Sequence, residues 1–465
     1  MRWVIGAIMS RKLGETAALC PKCLKTIPAE KVAEDDVVYI IKNCDEHGTW
    51  KVRIWEGVDE YLHLYDFAAV QKPPEKFVID ELKDCPQDCG LCSGHKQHTC
   101  LNVVEVTNLC NMNCPICFAR ANTDYKFHPD MDLIKKMLQT VVDYVPSPRC
   151  VQLSGGEPTI RDDLPDIARL AKEMGIEHVE VNTNGLRIAK DIEYLRALKE
   201  AGVDTFYFQF DGTRDDIYRQ TRGRDLFEVK KQALANCAEV GMGVTLVATV
   251  SPNINIDNIG EMIDFAAQNV PTVKGIHFQP IFYVGRYPIE PSDDDRVTLP
   301  QLAKAIEEQT KGMLKADNFI PTSCSNVHCD IKSLSVVLPD GSLFPMTTMA
   351  LGPPKNTENI AEKTRTEVSQ FWRFIEETMD GPSESDDNSW KSFVSRAKTH
   401  YLTVSSMAFQ DVWTGETERW ERCCIHMVTP DGRLIPFCLF NVNNKDGETL
   451  YRHQVFRPYS EKIKE

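Results

Sequence analysis

Three cysteines, Cys110, Cys114 and Cys117, stand close together in "NLCNMNCPICFAR" (108–120), and no fourth cysteine follows within the run. Thiolates at this density ligate zinc or an iron–sulfur centre. A [4Fe–4S] cubane held by three thiolates keeps one iron open, and an open iron is where a chelating small molecule can bind. Roughly forty residues on, "CVQLSGGEP" (150–158) reads as a buried strand ending in Gly155, Gly156, Glu157 and Pro158. Two glycines at a strand end let the backbone approach a ligand closely.

The chain has 17 cysteines in 465 residues and shows no secretory signal. Clustered cysteines in such a chain point to metal ligation in a reducing compartment rather than to a disulfide framework. Near the N-terminus, Cys20 and Cys23 form a CxxC knuckle, and Cys44 with His47 forms a CxxH. Two short chelating loops of this kind suit one tetrahedral ion, zinc or iron. The segments "VVYIIK" and "WKVRIW" around them alternate like a small hairpin of a rubredoxin-like or zinc-ribbon module. Next, "DCPQDCGLCSGHKQHTC" carries Cys85, Cys89, Cys92 and Cys100, enough thiolates for an auxiliary [4Fe–4S] cluster. A zinc site that includes His95 or His98 is the competing reading. Towards the C-terminus, Cys324, Cys329, Cys423, Cys424 and Cys438 offer five candidates for a second accessory cluster, with the spare expected at Cys423 or Cys424. Cys150, at a strand start, and Cys237, within a helical run, read as small buried apolar residues.

These groups need a scaffold. The cysteine loop follows the strand-like "LNVVEVTN", and further apolar runs recur at 178–185, 205–212, 244–251 and 275–282. Amphipathic stretches such as "MDLIKKMLQTVVDYV" and "KDIEYLRALKEAG" separate them. Alternating strands and helices, with strands buried on both faces, predict an α/β fold with a parallel sheet. Six such units make a partial (β/α)6 TIM-type barrel. Ligand-facing residues then belong at the C-terminal ends of strands: Asn182, Thr183, Asn184, Gln209, Asp211 and Gln279, each of which is equally a turn former. The expected organisation is a metal-binding module (1–65), a bridge carrying an auxiliary cluster (66–100), the barrel (101–285) and a C-terminal Fe–S-binding extension for substrate (286–465).

The Cx3CxΦC spacing with Ile116, followed by GGEP, resembles the radical S-adenosylmethionine (SAM) superfamily. The resemblance implies that SAM chelates the open iron through its amino and carboxylate groups. It also implies that the GGEP backbone and Glu157 hold the SAM amino group, and that a 5′-deoxyadenosyl radical abstracts hydrogen from substrate. Over most of the chain, "CPKC…CDEHG", "CNMNCPICFAR" and "SGGEPTIRDDL" resemble archaeal tetraether lipid synthase and its relatives, some of them pterin methylases. This implies carbon–carbon coupling on isoprenoid lipid chains. The C-terminal cluster would then trap a substrate radical, and the bridge cluster would relay electrons from a donor such as ferredoxin or flavodoxin. Two alternatives accompany it: methylation or carbon–heteroatom coupling of a small polar substrate such as a pterin, and a non-catalytic Fe–S electron carrier.

A net charge of −15 with no basic block excludes a nucleic-acid surface. The opening apolar run between Arg2 and Arg11 is too short to span a bilayer. A cytoplasmic enzyme is expected, compatible with peripheral membrane contact. A lipid substrate would call for an apolar tunnel, with "MTTMALG" (346–352), "VSQFWRFI" (368–375) and "YLTVSSMAFQDVW" (401–413) as apolar runs that read equally as core. The acidic "GPSESDDNSWKS" (381–392) reads as an exposed loop.

Overall fold

Alternating apolar and polar residues are the signature of a half-buried antiparallel sheet. In the computed structural model, which describes residues 10–79, 84–122, 125–322, 324–353, 362–366 and 389–462, the N-terminal segment is a four-stranded meander. Its strands are β1 (Ser10–Leu19), β2 (Thr26–Glu34), β3 (Val37–Cys44) and β4 (Gly48–Glu56), followed by helix α1 (Val58–His63). The hairpin expected from the sequence is β3–β4. The outer pair is rich in Ala, Lys and Glu, poor strand formers on their own, and depends on β3 for its edge. The module is docked rather than tethered. Lys42, 1% exposed, donates from Nζ to the carbonyls of Val412 (2.7 Å) and Gly415 (2.9 Å).

Apolar strands without polar alternation build the main sheet. After β5 (Leu101–Thr107) and the short β6 (Tyr125–Lys126) come β7 (Cys150–Gly155), β8 (His178–Thr183), β9 (Thr205–Gln209), β10 (Gly243–Val250) and β11 (Val273–Pro280). β5 and β7 to β11 lie side by side and parallel, as the six expected units require. Between them run α2 (Met131–Tyr144), α3 (Leu164–Glu173), α4 (Ile192–Glu200), α5 (Asp215–Arg222), α6 (Phe227–Val240) and α7 (Ile259–Gln268), with α8 (Leu299–Gln309) after the last strand. Cys150 and Cys237 are fully buried, as expected, Cys237 within the apolar core and Cys150 with its thiol 3.7 Å from the Arg365 carbonyl.

The C-terminal region extends this sheet at both edges. It supplies β12 (Asp330–Val337), β13 (Leu343–Pro345), β14 (Tyr401–Met407), β15 (Ile425–Val428) and β16 (Leu434–Pro436), while β17 (Glu461–Lys462) pairs with β6 in a separate two-stranded sheet. β14 pairs parallel to β11 and β15 parallel to β5, so strands that would otherwise expose open edges are covered. The two edges meet across the barrel mouth through Phe409 and Phe437, whose ring centroids are 4.9 Å apart. Of the apolar runs in the last third, "YLTVSSMAFQDVW" supplies β14, while Met346 and Leu351 of "MTTMALG" lie on the surface. "VSQFWRFI", residues 381–388 of the acidic segment and residues 1–9 lie outside the described residues. Among the described residues no helix is long and apolar enough to cross a membrane.

Candidate active site and metal centres

The cysteine loop leaves the C-terminal end of β5 and is fixed by two side chains. Asn122 accepts the Cys110 N–H at Oδ1 (2.9 Å) and donates from Nδ2 to the carbonyls of Cys110 (3.1 Å) and Met112 (3.0 Å). Arg286 donates to Asn113 Oδ1 (2.6 Å), Cys114 O (3.0 Å) and Ala121 O (2.6 Å), and its backbone exchanges hydrogen bonds with Cys117. The Met112 N–H donates to Cys110 Sγ at 3.3 Å. All three cysteines line a cavity of ≈ 250 Å³ in the barrel mouth.

The glycine pair abuts this loop. Gly156 N–H donates to Thr107 O (2.7 Å) and Glu157 N–H to Leu109 O (2.9 Å). A Cβ at Gly155, whose φ is +125°, would overlap the Thr107 carbonyl, and one at Gly156 the Leu109 carbonyl. Close approach therefore requires glycine at both. The buried Glu157 carboxylate ties strand ends together: Oε1 accepts from Thr159 N–H (3.1 Å), Thr159 Oγ1 (2.6 Å) and Thr183 Oγ1 (2.7 Å), and Oε2 from Asn184 N–H (2.7 Å). Oε2 keeps acceptor capacity facing the cavity that Glu157 lines. Asn184 reaches back to Asn111 Oδ1 at 2.8 Å.

Gly155, Gly156, Glu157, Asn182, Thr183, Asn184, Gln209 and Gln279 all line the cavity, as their strand-end positions predict. Two expected residues do not. Pro158 opens a buried turn of 3-10 helix behind the strand end. Asp211, just past the end of β9, is fully buried and accepts from Arg222 Nε and Nη2. Arg222, at the end of α5, is the residue that lines the cavity, and it donates to the Ile116 carbonyl at 3.2 Å. Nothing in its sequence context singles it out, and the same holds for Asn122 and Arg286.

Burial pushes the Cys110 thiol up to about 12, and Glu157 adds to this. Cys114 is raised by burial against the opposing pull of Arg222. Thiols held neutral in this way need a bound metal to become thiolate ligands. Spacing indicates which kind. A tetrahedral zinc with bonds of about 2.3 Å brings its sulfurs to about 3.8 Å from one another, whereas a cubane spreads its thiolates over separate irons. Among the described residues, ligand sets closed to within 4.8 Å are Cys20–Cys23–Cys44–His47 and Cys100–Cys324–Cys424. Cys110, Cys114 and Cys117 are not drawn in to that spacing, which fits a cluster better than one ion.

The N-terminal set gathers as predicted, with His47 Nδ1 at 3.6 Å from Cys20 Sγ and 3.5 Å from Cys44 Sγ. The other accessory cysteines sort differently from the sequence expectation. Cys100 does not complete the Cys85–Cys89–Cys92 set; it stands with Cys324 and Cys424, all three buried. The cause is strand pairing: the Cys100 N–H donates to Cys424 O (2.7 Å) where β5 meets β15. The Cys100 and Cys324 Cα atoms are 7.9 Å apart, beyond ordinary disulfide reach. Cys423 and Cys424 both line a separate small cavity with Cys329 and Cys438, Cys424 being also the one that stands with Cys100 and Cys324, and the walls Met407, Phe409, Ile425 and Phe437 are shared with the main cavity. Cys85, Cys89 and Cys92 stay in the bridge, where burial, and after it the neighbouring Cys85, Cys92 and Cys423, raise Cys89. His95 and His98 are buried beside them; His95 Nε2 lies 2.8 Å from Cys423 O.

Below the strand ends the barrel interior is lined by Gln152, Glu180, Tyr207, His277 and Gln279. Gln279 donates to the Tyr207 hydroxyl (2.8 Å), and His277 Nδ1 lies 2.9 Å from Ser405 Oγ. Burial lowers His277 to about 4, so the imidazole is neutral near pH 7. Of these five only Gln279 was expected from the sequence.

A loop of three spread thiols at the mouth of a parallel barrel, facing a glycine-lined strand end, defines an iron–sulfur enzyme that captures SAM. The radical SAM superfamily model matches residues 104–266, and the HMPTM N-terminal zinc ribbon domain matches residues 12–56. The chain belongs to the radical SAM superfamily; it is a radical SAM enzyme that uses a [4Fe–4S] cluster and SAM. It is 35% identical over 502 aligned residues, covering 97% of this chain and 96% of the relative, to 7,8-dihydro-6-hydroxymethylpterin dimethyltransferase of Methanocaldococcus jannaschii. It is 30% identical over 182 residues to GTP 3′,8-cyclase of Limosilactobacillus fermentum, covering 38% of this chain and 54% of that protein. Among solved structures, Streptococcus suis SuiB aligns with 20% identity and a TM-score of 0.38, covering 47% of each chain. The full-length match favours the pterin-methylase alternative over lipid coupling.

Proposed function

We propose that this radical SAM enzyme methylates a carbon of a reduced pterin, a small planar heteroaromatic bound in the barrel cavity. The observation that carries this reading is the full-length relative that bears a pterin dimethyltransferase name. The cavity of ≈ 250 Å³ sets Gln152, Glu180, Tyr207 and His277 among apolar side chains, a lining that suits a planar heteroaromatic with apolar faces and polar edges.

In this reading Cys110, Cys114 and Cys117 hold the cluster, and Asn122 and Arg286 keep the loop in shape. When bound, the cluster and SAM would supply one-electron reductive cleavage of the sulfonium, giving methionine and a carbon radical, while a second SAM would supply the methyl group and leave as S-adenosylhomocysteine, two electrons in all coming from the reductant. The chain's own residues bind and orient. The Gly155–Gly156 backbone leaves room for the methionyl group, Glu157 Oε2 accepts from its ammonium, and the Arg222 guanidinium complements its carboxylate. Asn182, Asn184 and Gln209 offer polar groups to the remainder of SAM. Phe282, Phe409 and Phe437 screen the site from water. In the same reading Cys329, Cys423 and Cys438, which share a cavity with Phe437, would hold an auxiliary cluster, and Cys100, Cys324 and Cys424 a further metal centre. A small electron carrier such as ferredoxin or flavodoxin would reduce the enzyme.

The experiment is anaerobic incubation of the reconstituted chain with reductant, SAM and 6-hydroxymethyl-7,8-dihydropterin, followed by mass spectrometry of the pterin. Methylated pterin is expected. Cleaved SAM with unaltered pterin, or coupled isoprenoid chain ends, would replace this reading.

A further inference from the structure

Glu180 sits midway along β8 on the barrel floor and is 1% exposed. Its neighbour across the parallel pairing is Gln152, whose Nε2 donates to Glu180 Oε1. Oε2 is buried, and among the described residues it has no hydrogen-bond partner. Other buried carboxylates of the barrel are matched: Glu105 by Arg452, Asp211 by Arg222 and Asp411 by Arg296. An acceptor left without a donor in such a place bears its desolvation penalty uncompensated, and the chain carries that cost at a residue lining the barrel cavity.

Resting on the pterin reading above, we propose that Glu180 is the specificity-determining residue of this site: its carboxylate accepts the N–H donors on the 2-amino-4-oxopyrimidine edge of the pterin. The match is chemical. That edge presents a 2-amino group and a ring N3–H side by side, one donor for the unpartnered Oε2 and one for the lone pair that Oε1 keeps beside its Gln152 bond. An isoprenoid chain has no donor for this carboxylate. Tyr207, which accepts from Gln279, retains its own proton for the adjoining 4-oxo group. With the pyrimidine ring anchored on the floor, the opposite ring of the pterin points up towards the strand ends and the cysteine loop. Burial pushes the Glu180 carboxyl up to about 7, and a pair of ligand donors favours the ionised form over the neutral one.

The test is equilibrium binding to the anaerobically reconstituted full chain, with 6-hydroxymethyl-7,8-dihydropterin and its 2-oxo analogue as probes and iron content as the check on integrity. The wild-type chain should bind the 2-amino compound about 10- to 100-fold more tightly than the 2-oxo compound. Glu180→Gln should lose that preference by weakening the 2-amino compound. Equal binding of both probes by the wild-type chain overturns the proposal whether or not the variant folds. So does a variant whose pterin affinity is unchanged, or one that loses SAM affinity instead. If the wild-type chain binds neither pterin, the substrate reading itself fails and this inference falls with it.

Discussion

Arg222 grips Asp211 through Nε and Nη2, the latter at 2.9 Å, while its Nη1 holds the Ile116 carbonyl inside the cysteine loop. One buried ion pair thus couples the end of β9 and helix α5 to the metal-binding segment. Asp211→Asn should leave the guanidinium without a counter-charge. Breaking such a pair costs about 3–5 kcal/mol. The expected outcome is a lower unfolding midpoint together with reduced iron content in anaerobic preparations. A variant with both at the wild-type level would separate Arg222 from the loop.

Gly156 has no room for a side chain, because an added Cβ would overlap the Leu109 carbonyl and press on that of Asn108. Gly156→Ala should displace the base of the cysteine loop and weaken SAM binding by about tenfold or more, the equivalent of about 1.4 kcal/mol. Equilibrium dialysis with labelled SAM measures this. Unchanged affinity would show that the backbone at this position does not shape the SAM site.

Glu180 gives a pH dependence with a defined sign. Its carboxyl is raised from 4.5 to about 7 by burial, against the Gln152 hydrogen bond. Tyr207 and Cys150 are the titratable groups facing it. Because the folded-state value is raised, the stabilising contribution is complete below about pH 4.5 and is lost as pH rises through 7. Glu180→Gln stays neutral throughout. Without substrate, the variant should match wild type near pH 4 and be more stable by roughly 3 kcal/mol at pH 8.5. Chemical denaturation at both pH values measures the difference, and a gap independent of pH would contradict the buried-charge account.

The N-terminal set of Cys20, Cys23, Cys44 and His47 is closed to single-ion spacing, unlike the barrel cysteines. Cys44→Ser should therefore remove one metal equivalent and leave acid-labile sulfide unchanged. It should also loosen the docking of Lys42 on Val412 and Gly415. Elemental analysis with a sulfide assay tests this, and a parallel loss of sulfide would show that the two sites are not independent.

What could be read from the sequence was what lies in contiguous stretches. The cysteine loop, GGEP, the CxxC/CxxH ribbon and six strand–helix units each carry their signal within a few residues, and strand periodicity alone places Asn182, Gln209 and Gln279 at cavity level. Features made by pairing between distant segments were hidden. Cys100 joins Cys424 because β15 lies along β5, so counting cysteines along the chain assigned it to the wrong set. Asp211 looked like a ligand contact and is instead the counter-ion of Arg222. Glu180 alternates along β8 like any strand residue, and only the folded sheet shows that it lines the cavity and keeps a buried oxygen without a partner among the described residues.

The central claim is that Cys110, Cys114 and Cys117 present an open cluster that captures SAM. Electron paramagnetic resonance of the reduced, anaerobically reconstituted chain, with and without SAM, tests it most directly, with a Cys110→Ala/Cys114→Ala/Cys117→Ala variant supplying the baseline from the other metal centres. A cluster signal that changes on adding SAM and is missing from the variant is the predicted result. A wild-type spectrum indifferent to SAM, or identical to that of the variant, would contradict it.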